Sequence, residues 1–291
     1  MTPVPALGVC FVPTLPPETL VRLARTAEAA GLDELWVWED CFKQSGIASA
    51  GVALASTERI RVGIGLLPTP LRNVALTAME IATLARMFPG RLMPGIGHGV
   101  QPWMAQVGAR PRSPLTLLEE YAAALRSLLA GESVTTHGTY VHLDAVRLDW
   151  PPMPPPPLLI GGTGPKSIDQ AARLGDGYLF GNARTDAEIA DASGRITAIR
   201  GMGHPMVYSE IAATGPGARE RVDAEVPLWG HEASPNIGTA GDADVFVDAI
   251  RRIAGLGVTS VVFQPTQDEP DLDGFVAFLG GEVKSRLTSE P

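Results

Sequence analysis

Two cysteines, Cys10 and Cys41, are too few for a disulfide framework or a four-thiolate metal centre in a chain of 291 residues. Basic runs are missing too. With a net charge of −9 and no Lys/Arg cluster, the chain lacks the electrostatic footprint of a nucleic-acid or anionic-membrane binder. It has no run of about eighteen apolar residues, which excludes a transmembrane helix. Pro13, Pro16, Pro17 and Glu18 break up the start, and no basic segment leads into an apolar one, so no signal peptide is expected. These absences together predict a soluble, cytoplasmic protein.

Several chemistries lack their residues. No Gly-x-Ser-x-Gly elbow supports a serine hydrolase. Gly-x-Gly-x-x-Gly is absent, so there is no dinucleotide fingerprint. His137, His142, His204 and His231 are scattered, none pairing with a carboxylate at helical spacing, and no metal site is expected.

What the chain does have is alternation. Hydrophobic residues make up 45% of it, ample for a large core. Short apolar runs read as buried strands at 6–12, 34–38, 59–67, 92–96, 158–160, 177–180, 205–213 and 258–264. Helical periodicity fills 18–30, 47–55, 73–88, 113–129, 166–174, 243–254 and 272–287. Residues 133–148 read as an extended excursion from the repeat, and 215–241 as a long connection containing Gly and Pro. The proline run at 151–157 reads as a stiff connector. Eight strands separated by helices predict an α/β fold in which a parallel sheet closes into a single (β/α)8 TIM barrel over 1–291. An open doubly wound sheet uses the same alternation.

In such a barrel the site lies at the C-terminal strand ends. That places Glu39 and Asp40, Gly65 and Leu66, Gly97, His98 and Gly99, Gly181 and Asn182 there, together with the loop Gly161-Gly162-Thr163-Gly164. In that loop, glycines permit close backbone approach, and the following helix offers free amides and the positive end of its dipole to an anion, with Lys166 nearby. The plain alternative is ordinary turn chemistry. His98 is the expected proton donor or acceptor. Adjacent residues on a strand face opposite ways, so at most one of Glu39 and Asp40 faces a ligand unless the loop turns. Trp36 is expected in the core, Trp103 on the substrate side, and Cys41, beside Asp40, as a bystander.

The segments 59–65, 78–84, 89–91, 95–99, 161–166, 172–177 and 261–266 resemble the luciferase-like monooxygenase superfamily, and within it the branch dependent on the deazaflavin coenzyme F420. That branch includes methylenetetrahydromethanopterin reductase and F420-dependent glucose-6-phosphate dehydrogenase. The resemblance implies a deazaflavin at the barrel mouth, with its phosphate on the backbone of residues 161–164. It also implies a non-prolyl cis peptide at Gly65–Leu66, forming a bulge behind the ring. Two departures stand out: Glu39-Asp40 replaces the Asp-His of several F420 enzymes, and His98 stands where the glucose-6-phosphate dehydrogenase has an acidic residue. A sugar-phosphate substrate is therefore not expected, and only Arg72 and Arg110 remain as candidates to hold a second phosphate. The leading expectation is F420-dependent hydride transfer to or from a small organic substrate. The alternatives are an FMN-dependent monooxygenase served by a separate flavin reductase, and a cofactor-less barrel acting as a binding protein. The resemblance also implies a homodimer.

Overall fold

The computed structural model describes residues 4–232, 234 and 237–289. Its strands in chain order are β1 (Ala6–Phe11), β2 (Glu34–Val37), β3 (Arg61–Pro68), β4 (Leu92–Gly97), β5 (Val134–His137), β6 (His142–Val146), β7 (Leu159–Gly161), β8 (Gly177–Leu179), β9 (Met206–Ala213), β10 (Thr239–Ala240) and β11 (Ser260–Pro265). Eight of them run parallel in the order β9, β11, β1, β2, β3, β4, β7, β8, and a β8–β9 pairing closes the ring. The fold is a (β/α)8 barrel, so the open-sheet alternative is set aside. β10 adds a short parallel pair beside the end of β9.

The intervening helices are α1 (Leu20–Ala29), α2 (Gly46–Ala55), α3 (Val74–Met87), α4 (Gln101–Gln106), α5 (Pro114–Leu129), α6 (Pro165–Leu174), α7 (Asp186–Arg200), α8 (Ala218–Glu225), α9 (Ala243–Gly255) and α10 (Leu272–Phe278). Their starts follow local chemistry. At α5, Ser113 accepts a hydrogen bond from the Thr116 amide and Pro114 occupies the first turn. At α7, Thr185 and Glu188 form a reciprocal capping box. Each such cap is worth about 1 kcal/mol. Leu118, Tyr121, Leu125 and Leu128 of α5 are buried at spacings of three and four, placing one face against the sheet.

The extended excursion at 133–148 lies outside the barrel as expected and is an antiparallel hairpin of β5 and β6. The connection at 215–241 contains α8 and a 3-10 turn at Val226–Trp229, and its Val222, Val226 and Ile237 pack against Ile211 of β9 and Ala183. Among the described residues no helix is long and apolar enough to cross a membrane.

The barrel interior is filled by Cys10, Val12, Trp36, Met93, Leu159, Leu179, Val207 and Val262. Trp36 is 3% exposed, and its bulk requires Gly63 on the neighbouring strand: a Cβ there would run into the indole ring. The Trp36 indole donates to Glu34 Oε2 at 2.8 Å, and Glu34 also accepts from Ser260 Oγ at 2.6 Å and Arg61 Nη2 at 2.7 Å. The N-terminal end is thereby plugged by a satisfied polar cluster, and the opposite end is left for a site.

Candidate active site

The C-terminal mouth holds a cleft of about 470 Å³. Its floor is made by β3. The Gly65–Leu66 peptide is cis, as the resemblance implied, and the β3–β4 register shifts between Ile64 and Leu67. This bulge directs Leu66 across the barrel. A Cβ on Gly97 or on Gly161 would lie 2.6 Å from Leu66 Cδ2, so these glycines leave the volume that Leu66 fills. Gly97 accordingly sits beneath the floor and is not part of the cleft lining, contrary to its expected cofactor contact. A second non-prolyl cis bond joins Cys41 and Phe42.

Both Glu39 and Asp40 line the cleft, because β2 ends at Val37 and the chain is already turning. Their surroundings separate them. Glu39 forms an ion pair with Arg72 Nη1 and accepts from the Gly46 amide at 2.9 Å, at the start of α2. Arg72 Nε also donates to Glu80 Oε2 on α3 at 3.1 Å. Glu39 is therefore a brace between β2, α2 and α3, and Arg72, one of the two residues left as candidates to hold a second phosphate, is already engaged. Arg110 lines a different pocket, beside the hairpin. Asp40 keeps its carboxylate in the cleft. Burial pushes its pKa up, opposed by Lys43 at 3.7 Å. Burial, and after it the charge of Asp40, also raises the Cys41 thiol, so that side chain is a poor thiolate.

His98 follows β4 and lies half-buried on the wall. Neither ring nitrogen has a well-formed hydrogen bond. Burial lowers its pKa, and the nearby backbone of Pro114 only partly offsets this, so the imidazole is neutral at neutral pH. Beside it, Gln101 Nε2 donates to the His98 carbonyl at 2.9 Å. Asn182, after β8, donates to Gln264 Oε1 on β11, and Gln264 in turn reaches the buried Glu225 at 3.4 Å. That chain ties the α8 segment to the barrel.

The loop after β7 opens onto a smaller pocket of about 180 Å³, lined by Gly162, Thr163, Gly164, Pro165, Gly181 and Arg184, with the carboxylates Glu188 and Asp191 on its far side. Gly164 takes φ +81° just before α6, and no side chain caps that helix, whose start lies beside the pocket; Pro165 has no N–H and the Ile168 amide donates to the Gly164 carbonyl at 3.0 Å. Gly162 also packs closely: a Cβ would meet Ser167 Cβ at 2.8 Å. Tyr178 donates to the Gly162 carbonyl at 2.6 Å and holds the loop in place. Arg184 supplies the cation, paired on one side with Glu188 at 3.2 Å.

Sequence reasoning missed two residues here. Arg184 carries a signal, being the first basic residue after the β8 strand end. Trp229 carries none, because it enters the mouth from the Val226–Trp229 turn and meets Trp38 edge to face at 5.6 Å.

Residues 8–218 match the luciferase-like monooxygenase family. The chain belongs to that family. Among its relatives, the 5,10-methylenetetrahydromethanopterin reductase of Methanolobus tindarius is 30% identical over 63% of this chain and 56% of its own length. The chain thus spans little more than half the length of that relative. The F420-dependent glucose-6-phosphate dehydrogenase of Beutenbergia cavernae is 32% identical, over 93% of this chain and 94% of the relative. The coenzyme F420-dependent tetrahydromethanopterin reductase of Methanopyrus kandleri superposes with a TM-score of 0.83 over 98% of this chain and all of its own, at 20% identity. That likeness concerns the fold. Within the family, the bulged β3, the glycine-rich loop after β7 and the histidine after β4 are what this member sets around its mouth.

Proposed function

We propose that this chain is an F420-dependent oxidoreductase acting on a small organic substrate. The observation that carries the reading is a flat-floored cleft opening directly onto an anion pocket. Leu66 and the bulged strand floor the cleft, and the glycine-rich loop after β7 with Arg184 lines the pocket beside it. A planar ring with an anionic tail suits both compartments at once. The Gly97 and Gly161 cradle around Leu66 meets the demands of such a group. Relatives named for F420 dependence support the deazaflavin over FMN.

When bound, the cofactor supplies hydride chemistry. The chain supplies the rest. Gly162, Thr163 and Gly164 present backbone amides to the tail, with Arg184 balancing its charge. Leu66 would support the ring, and Trp38, Trp103 and Trp229 would keep water from the cleft around it. His98, kept neutral by burial, holds or takes the proton at the substrate oxygen. Asp40 orients polar groups at the rim.

Titration of the purified protein with F420 and with FMN, followed by fluorescence, tests the cofactor. Saturable F420 binding is expected. FMN binding at micromolar concentration with none of F420 would replace this reading with the flavin monooxygenase one, and binding of neither would favour a cofactor-less barrel. Gly162→Val tests the anion pocket. The added side chain meets Ser167 and obstructs the backbone approach, so F420 affinity should fall by about tenfold or more, equivalent to about 1.4 kcal/mol or more. Unchanged affinity would rule out the loop as the tail's seat.

A further inference from the structure

Glu225, the last residue of α8, is buried beside the end of β11, where a carboxylate must find hydrogen-bond donors. It finds three. Its Oε1 accepts from Gln264 Nε2 at 3.4 Å and from Gln267 Nε2 at 3.2 Å, and its Oε2 accepts from the Gln267 backbone amide at 3.3 Å. An ionised carboxylate only accepts, so it dictates which end of a neighbouring amide turns toward it.

Gln264, also buried, gives Glu225 its NH2 group and keeps its carbonyl oxygen for Asn182, whose Nδ2 donates to it. The Asn182 amide is fixed in turn, with its nitrogen toward Gln264 and its Oδ1 left to the cleft that this residue lines. Among the described residues nothing donates to that oxygen, and it is not sealed from solvent as Gln101 Oε1 is. The neighbouring Gly181 lines both the cleft and the anion pocket, which puts Asn182 beside the passage between them.

We propose that Glu225 is a positioning residue: acting through Gln264, it holds the Asn182 side chain as a hydrogen-bond acceptor, so that this wall binds a ligand O–H or N–H and disfavours a bare carbonyl. The relay stands on its own geometry, whereas the identity of the ligand rests on the deazaflavin reading. A ring joined to an anionic tail by a hydroxylated chain carries both kinds of donor. Glu225→Gln reverses the relay. Its side chain keeps the shape but has one oxygen in place of two. The Gln267 backbone N–H cannot turn round and retains that oxygen, so the new NH2 faces Gln264. Gln264 then reverses, and Asn182 with it, presenting an NH2 to the cleft.

NMR of the protein without ligand tests the relay. The Asn182 side-chain NH2 signals, assigned by their loss in Asn182→Ala, should exchange slowly with water in the unaltered protein and fast in Glu225→Gln. F420 should bind Glu225→Gln about three- to tenfold more weakly. In an Asn182→Ala background the same change should cost nothing further, whereas mere loosening of α8 would weaken binding in both backgrounds. A deazaflavin with a methyl group in place of the linking chain separates the two donors. A matching loss assigns the ring N–H, and unchanged affinity assigns the chain hydroxyls. Fast exchange in the unaltered protein, unaltered F420 affinity in Glu225→Gln, or a loss that persists without Asn182 overturns the proposal. If F420 does not bind at all, the cofactor reading fails and the exchange measurement alone decides the relay.

Discussion

Replacing His98 with alanine should lower turnover by about 10²- to 10⁴-fold, the range contributed by a positioned general acid or base. The loss should fall on kcat, with F420 affinity unchanged, because the imidazole sits on the cleft wall away from the anion pocket. A pH profile sharpens the test. Burial holds the His98 pKa below its ordinary 6.5, so the ring is neutral above that value and takes a proton only in more acid solution. In the alcohol-oxidising direction, kcat/KM should therefore stay level through neutral pH and fall on an acidic limb below 6.5, a limb that His98→Ala loses. The same depression affects stability. The unfolded chain binds this proton at higher pH than the folded one, so the contribution from His98 is complete above 6.5 and declines as pH drops through it. Undiminished turnover in the alanine variant would end the proton role.

Arg72→Met should be the most destabilising single change near the site. The guanidinium and its partner Glu39 retain only 14% and 8% of their side-chain exposure, and the same Arg reaches Glu80. Removing one member of a buried pair leaves an uncompensated charge, at a cost of about 3–5 kcal/mol. For a chain of this size that is a fall in melting temperature of about 6–15 °C. Adding Glu39→Gln should recover part of the loss, since the stranded carboxylate is then gone. Thermal melts of the unaltered protein, Arg72→Met and the double variant measure this directly. A drop within about 1 kcal/mol would mean that the brace is screened like a surface pair.

The barrel was legible because its strands are buried on both faces and so read as continuous apolar runs, while helices such as α5 carry a clear apolar stripe and cap. The α7 helix was not, since its apolar residues spread around the axis and Gly194 interrupts it; the capping box at Thr185 and Glu188 was its usable sign. Residues at the strand ends were placed at the mouth by one topological rule. That rule says which residues stand at the mouth but not what each is bonded to. Glu39 looks like a ligand in sequence and is a brace in space, since its partner Arg72 lies 33 positions away. Trp229 illustrates the converse. Its segment has no strand end to mark it, and only the packing of α8 over the mouth brings the indole to Trp38.

Leu66 projects into room vacated by two glycines on two other strands, so positions 66, 97 and 161 behave as one unit. Reshaping this pocket by altering any one of them alone produces a void or a collision. Shrinking the leucine while enlarging a glycine instead shifts the supporting surface from one strand tip to its neighbour. A laboratory variant with a tilted or deepened base must change the three together.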